Sequence, residues 1–381
     1  MMKLTGMRAS LYKSLQNVQL SLGALNVLIG ANASGKSNIL DALRFLSEGL
    51  RARDFSESVN SRGGITHLAW KGSPAECFEL ETLYDDAGRL FSWKVIVRRQ
   101  QHGFTVAEQV EEREAGEPPS LLLDATNGQT SWWSAQAKGN QVKMSLSPTG
   151  CALASACADE SFPARRIGEF IQRWGFFDPS PPILRRAAMM TDGDILDPYG
   201  RNLAARLYAL SEAPDGGKTF QRIVAATQLV LGVPERLEFR TSEVDGRVHF
   251  VQHEPGLMYG VHQVGASSGT LRMLALMTAL FGETGASLVG IEEPENHVHP
   301  SALKAFAEYL RDASHDVQIV VTTHSPLLLD YLPAPEELAV VRRTEAGTVV
   351  HREPNPDAIR KALEASGFGL GEFYETKGFG A

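Results

Sequence analysis

Cysteine is scarce in this chain of 381 residues: Cys77, Cys151 and Cys157 are the only three, with neither a CxxC spacing nor histidines close by. That shortage excludes a disulfide framework and argues against a zinc site, leaving buried or idle thiols in a reducing compartment. Long apolar runs are missing too. No stretch approaches the roughly 18 residues of a membrane span, and Met1 to Leu22 lacks an uninterrupted apolar segment, so a cytoplasmic protein without a membrane partner is expected. The formal charge of −8 leaves no global basic field, and any DNA or RNA contact must come from a local patch. Internal repeats and sustained heptads are absent as well, which excludes solenoids and coiled-coil arms. The length nevertheless suffices for one large domain or two ordinary ones.

What is present centres on Leu25 to Asn38, LNVLIGANASGKSN. An apolar strand runs into Gly30-Ala-Asn-Ala-Ser-Gly35-Lys36-Ser37, which fits the phosphate-binding pattern G-x-x-x-x-G-K-[ST] at every fixed position. Glycines let several backbone N–H groups converge on one anion, Lys36 sets a point charge on the β- and γ-phosphates, and the Ser37 hydroxyl suits Mg²⁺. Ile39, Ala42, Leu43 and Leu46 follow at helical spacing, so a helix N-terminus adds its dipole to the same phosphates. The competing reading is a glycine-rich turn with an incidental lysine.

Upstream, Val18, Leu20 and Leu22 alternate with polar residues as in a half-buried strand. Downstream, Gly49 to Gly64 is polar and charged and reads as a mobile surface connection. From Phe78 the period becomes two, through Phe91–Val97 and Phe104–Val110, as in an antiparallel meander. The Glu-rich run from Glu108 to Glu117 reads as a solvated strand end and loop. Helical spacing returns at Ile167, Phe170, Ile171 and Trp174, then at Leu203–Leu210 and Phe220–Leu231; Asp245-Gly246 marks a hairpin. The final third alternates: helix Leu271–Phe281, strand Leu288–Ile291, helix Ala302–Leu310, strand Val317–Thr322.

Two of these strands end in groups suited to chemistry. Ile291 is followed by Glu292-Glu293-Pro294-Glu295, at the sheet edge where α/β proteins place ligands. There Glu292 would hold Mg²⁺ and Glu293 would orient the attacking water. The competing reading is a solvated acidic turn. Val320-Val-Thr-Thr-His324-Ser325-Pro326 would bring His324 to the γ-phosphate, against the alternative of a structural histidine.

Loop, acidic strand and TTHSP, in this order, resemble the ATP-binding-cassette (ABC) class of ATPases, in its RecF/SMC-like branch of AAA-type ATPases beside the OLD family. The resemblance assigns an ABC signature to Gly265-Ala-Ser267-Ser268-Gly269-Thr270-Leu271-Arg272, a degenerate LSGGQ whose Ser267, Ser268 and Gly269 would form a second anion site; an ordinary helix N-cap is the competing reading. It implies an α/β P-loop NTPase head with an antiparallel β subdomain and a helical lateral insert. The expected lobes are 1–160 with the phosphate loop, 161–235 helical, and 236–381 with signature, acidic strand and His324. The implied nucleotide-binding residues are Gly30, Asn32, Ser34, Gly35, Lys36, Ser37, Asn38, Ser267, Ser268 and Gly269. Ser37 and Glu292 are the implied Mg²⁺ ligands, and Glu293 and His324 the catalytic groups. One loop and one signature per chain imply a homodimer closed around two ATP molecules. Glu292 departs from the usual aspartate but keeps the carboxylate, and Gly63–Gly72 offers no Q-loop glutamine. About fifty residues follow TTHSP, so a built-in TOPRIM nuclease is not expected. The implied function is an ATPase switch in DNA maintenance or anti-phage defence that regulates a separately encoded effector. A protein-assembly or scaffolding module without a nucleic-acid role is the alternative. DNA contact stays open, with Arg165, Arg166, Arg173, Arg185 and Arg186 as the candidate patch.

Overall fold

The computed structural model describes residues 2–74, 76–114, 116–283, 285–332 and 334–376. Two compact units emerge, one built from residues 1–174 and 339–352, the other from 175–338 and 353–381.

The first unit carries an eight-stranded antiparallel sheet in the order Leu15–Ser21, Met2–Tyr12, Cys77–Asp86, Arg89–Arg99, Phe104–Arg113, Ser120–Thr126, Gln129–Trp133, Gln141–Ser145. Alternation builds its inner face: Trp93, Val95 and Val97 are buried from one strand, Val106 and Val110 from the next. Glu108 falls between those two valines on the same face and is 1% exposed, so the solvated strand end and loop that composition suggests begins further on, where the strand ends at Arg113 and Arg113, Glu114 and Glu117 are exposed. Ala115, within that run, lies outside the described residues. Trp93 Nε1 (2.9 Å) and the Leu153 N–H (3.2 Å) donate to the Glu108 carboxylate, as does the Ala152 N–H.

Leu25–Ile29, buried at every residue, leads through the loop into the helix Lys36–Ala52. That helix turns Ile39, Leu40, Leu43, Phe45 and Leu46 inward, as its spacing requires. Phe45 stacks on Phe55 with ring centroids 5.4 Å apart and meets Phe78 edge-on at 5.5 Å. The segment read as a mobile connection is therefore ordered by burial: the helix runs through Gly49 to Ala52, Phe55 is fully buried, and Ser56–Asn60 is helical. Polar residues dominate that stretch, but its few apolar ones carry the packing.

The second unit holds a parallel pair, Leu288–Glu292 beside Gln318–Thr323, joined by the helix Pro300–Ala313. An antiparallel sheet of Ala188–Met189, Arg247–His253, Arg236–Thr241 and Val261–His262 forms its other layer. Helices Leu203–Ser211 and Lys218–Leu231 attach to it through Tyr208 and Phe220, whose rings meet Phe239 at 5.6 and 5.5 Å. Helix Ser268–Met277, buried from Thr270 onward, passes into a wider π turn at Thr278–Gly282.

Candidate functional site

Packing dictates the glycines of the loop as firmly as phosphate geometry does. A Cβ on Gly30 would lie 2.1 Å from the Val341 carbonyl oxygen. Gly35 adopts φ +111°, and a Cβ there would meet Thr348 Oγ1 at 2.2 Å. Only glycine meets both demands at Gly35. Beneath the loop three polar side chains interlock. Thr348 Oγ1 donates to the Ser34 carbonyl (2.8 Å) and lies 2.7 Å from Ser14 Oγ, which also accepts from Asn38 Nδ2 (2.7 Å). Lys36 is 4% exposed, and its Nζ donates to the carbonyls of Gly30 (2.8 Å) and Ala31 (3.0 Å). Ser34 Oγ is buried with no hydrogen-bond partner among the described residues, while Ser37 and Asn32 are exposed. A buried cation, an unsatisfied hydroxyl and two side-chain-free approaches at a helix start fit a phosphate chain.

In the second unit the acidic strand ends in a held turn. Glu292 pairs in register with Thr322, and the Glu293 N–H donates to the Thr322 carbonyl (2.9 Å). Glu293 has φ +42°, a left-handed conformation costing a non-glycine residue about 1–3 kcal/mol. Side chains from three elements hold it there. Arg272 donates to the carbonyls of Glu292 (2.9 Å) and Glu293 (2.8 Å). Asn296 Nδ2 donates to Glu293 Oε2 (2.8 Å), and His324 Nδ1 lies 3.5 Å from Glu293 Oε1. Glu295 reaches across to the strand that carries His324: its Oε1 accepts from Thr323 Oγ1 (2.6 Å) and from the His324 N–H (2.9 Å), and lies 3.4 Å from His324 Nδ1. The structure thus brings Glu293 and His324 together.

Ser267 is the N-cap of its helix, with Oγ accepting from the Thr270 N–H at 3.0 Å. The cap takes up only the Thr270 N–H of the first turn, so cap and anion site are compatible. Ser268 Oγ accepts from Arg185 (3.1 Å), which also donates to the carbonyls of Val264 and Ala266. A Cβ on Gly269 would stand 2.9 Å from the His297 carbonyl oxygen, so this helix and the acidic turn approach at backbone distance.

Sequence reasoning gave no role to Ser14, Thr348, Arg272 or Glu295. Ser14 and Thr348 are distant in the chain and carry no motif; Arg272 and Glu295 lie inside quoted stretches but their partners are set only by packing. Of the candidate arginines, Arg165 pairs with Glu169 (2.9 Å) and Arg166 with both oxygens of Asp86 (2.6 and 2.7 Å). Among the described residues no group of three or more His, Cys, Asp or Glu is arranged to hold a metal. Mg²⁺ takes one or two protein oxygens plus nucleotide phosphates, and the Ser37 hydroxyl and Glu292 carboxylate are of that kind. No described helix is long and apolar enough to cross a membrane.

These arrangements sit on a known fold. The solved SmcHead bound to the C-winged helix domain of ScpA superposes with a TM-score of 0.58 at 14% identity, covering 94% of this chain and 99% of that one. A Pyrococcus furiosus Smc head domain with an extended coiled coil, bound to the C-terminal domain of ScpA, gives 0.51 at 14% identity over 96% of this chain and 100% of that one. The fold is therefore the α/β P-loop NTPase fold of ABC-type SMC heads. No coiled-coil arm is present among the described residues, whose longest helix is Lys36–Ala52 at 17 residues. Within that class, residues 25–92 and 189–330, more than half of the chain, match the family described as "AAA domain, putative AbiEii toxin, Type IV TA system", and the chain belongs to it. Protein ea59 of Escherichia phage lambda is 34% identical over 108 residues, 28% of this chain. The match spans about a fifth (19%) of that curated relative's length.

Proposed function

We propose that the chain is an ATP-hydrolysing switch that closes as a homodimer around two Mg-ATP. Gly30, Asn32, Ser34, Gly35, Lys36, Ser37 and Asn38 hold the phosphates, and Ser37 with Glu292 holds Mg²⁺. Glu293 orients and deprotonates the attacking water, and His324 contacts the γ-phosphate. Ser267, Ser268 and Gly269 cover the nucleotide of the opposite subunit. The observation that carries hydrolysis, rather than binding alone, is Glu293 held at φ +42° with its carboxylate oriented by Asn296 and faced by His324. A carboxylate fixed this way is preorganised for a proton that leaves only in the transition state.

The load of the cycle is a separate effector, in DNA maintenance or anti-phage defence. Support for a separate partner comes from the SMC heads of similar fold, whose structures contain ScpA domains. A second reading, an ATP-gated protein-assembly module without nucleic acid, is favoured by the −8 charge and by arginines already committed to Asp86 and Glu169. Sizing the Glu293→Gln variant with and without Mg-ATP tests the switch: a dimer with nucleotide is expected, and a monomer under both conditions overturns it. Salt-dependent DNA binding that requires ATP selects the first load, and its absence selects the second.

A further inference from the structure

Arg272 is a buried cation in the second unit. It lies one turn into the helix that starts at Ser268 and is 2% exposed, so burial lowers its pKa. Its guanidinium donates to the carbonyls of Pro179, Glu292 and Glu293, and meets Asp178 Oδ1 only at 3.4 and 3.5 Å, where that aspartate is half exposed. Its Nε has no partner among the described residues. A buried cation whose nearest counter-charge is a half-exposed aspartate at 3.4 Å, with Glu293 and Glu295 acting on it without an ion pair, is a poor stabilising device, and an apolar residue of similar volume is often no worse. What the arrangement does provide is a rigid link. One nitrogen of the planar fork, Nη2, holds the Glu292–Glu293 and Glu293–Pro294 peptide planes on either side of the Glu293 Cα while Nη1 is anchored on Pro179, and Gly269 brings the same helix to backbone distance from His297, beyond the same turn.

We propose that Arg272 is a positioning residue for ATP hydrolysis: it transmits the placement of the signature turn, Ser267–Gly269, to the Glu293 carboxylate. Docking of the signature on the partner's nucleotide and aiming of the same chain's catalytic glutamate are then one event, so the two sites of the dimer are coupled and turnover is confined to the closed dimer. This inference rests on the hydrolytic role proposed for Glu293. Asn296 and His324 orient the carboxylate itself, whereas Arg272 holds the backbone from which it projects.

Steady-state ATPase measurements on Arg272→Lys and Arg272→Met, each alone and combined with Glu293→Gln, test it. Lysine keeps the charge, but its single nitrogen cannot bond the Glu292 and Glu293 carbonyls and the Pro179 carbonyl together from one plane. Expected for both is a kcat lowered about 100-fold at nearly unchanged KM, the scale of a misplaced catalytic group. In the Glu293→Gln background the same changes should lower residual turnover by less than about twofold, because the group they position is already disabled. A wild-type kcat in either single variant overturns the proposal, as does an equal fold-loss in both backgrounds, which marks a generic packing role. Should Arg272→Met not fold, Arg272→Lys decides by the same two readouts. An unsubstituted chain whose turnover does not exceed that of Lys36→Ala overturns the hydrolytic reading itself, and is told apart because it appears before any change at Arg272.

Discussion

Asp41, on the loop helix, receives Tyr12 Oη (2.6 Å), Arg62 Nε (2.9 Å) and Lys13 Nζ (2.5 Å). Burial works to raise its pKa, but Arg62 and Lys13 outweigh it and hold the carboxyl below the ordinary range. A depressed folded-state value contributes stability that is present above the unfolded pKa, near 4, and lost as pH falls through the folded one. Asp41→Asn should therefore cost about 2 kcal/mol at neutral pH and flatten the acid limb of the stability curve below pH ~4, as chemical denaturation across pH reads out. Glu108 has the opposite sign: burial raises its pKa despite three N–H donors. Its folded form takes up a proton more readily than the unfolded chain, so its ionised form costs stability at neutral pH and that cost is relieved as pH falls toward the ordinary carboxylate value. Glu108→Ala should still destabilise by about 2–4 kcal/mol in urea titration, because Trp93 Nε1 and two N–H groups lose their acceptor. Both effects were half legible. The period of two already sets Glu108 between Val106 and Val110 on the inward face, but acidic composition pointed outward, and only the helix start at Ala152 supplies donors that make the inward place tolerable.

At the scale of elements, legibility followed periodicity. Strand, loop and helix around Lys36 were plain because a strand with four apolar residues in five, fixed glycines and a 3.6-residue apolar period coincide. The hairpin about Asp245-Gly246 and the parallel pair flanking Pro300–Ala313 were plain for the same reason. Gly49 to Gly64 was not, since one buried phenylalanine among polar residues makes no period. Phe55 nevertheless fixes that corner: a Cβ on Gly49 would stand 2.1 Å from its ring. Helix propensity alone favours alanine over glycine by about 1 kcal/mol. Here the clash should win, and Gly49→Ala should lower stability by about 1–3 kcal/mol, whereas Gly49→Ala with Phe55→Leu should recover part of the loss. A gain in thermal midpoint from Gly49→Ala alone would show that the ring moves aside freely.

For the whole molecule the decisive question is whether an active site is completed by a second copy. Composite sites make a prediction that no single-chain site can imitate. Lys36→Ala removes the phosphate cation and should abolish ATP binding. Ser267→Arg places a bulky cation on the covering turn and should leave binding in the monomer intact while abolishing ATP-induced dimerisation. Each variant alone should be inactive. In a mixed head-to-tail dimer, however, the intact loop of the Ser267→Arg chain faces the intact signature of the Lys36→Ala chain, and one of the two sites is whole. Equal mixing with free exchange, and pairing of the two variants as strong as in the unsubstituted dimer, sets a ceiling of about a quarter of wild-type turnover, since half of the dimers are mixed and each carries one site; recovery should stay below it, because Arg272 ties the glutamate of that whole site to the disabled signature of its own chain. Because one good site must hold such a dimer together, the mixed dimer should accumulate with total protein concentration and saturate. Failure of the mixed dimer to form with Mg-ATP at every concentration, with each variant folded and Ser267→Arg still binding ATP, would place the whole reaction within one chain and remove the dimer from the mechanism.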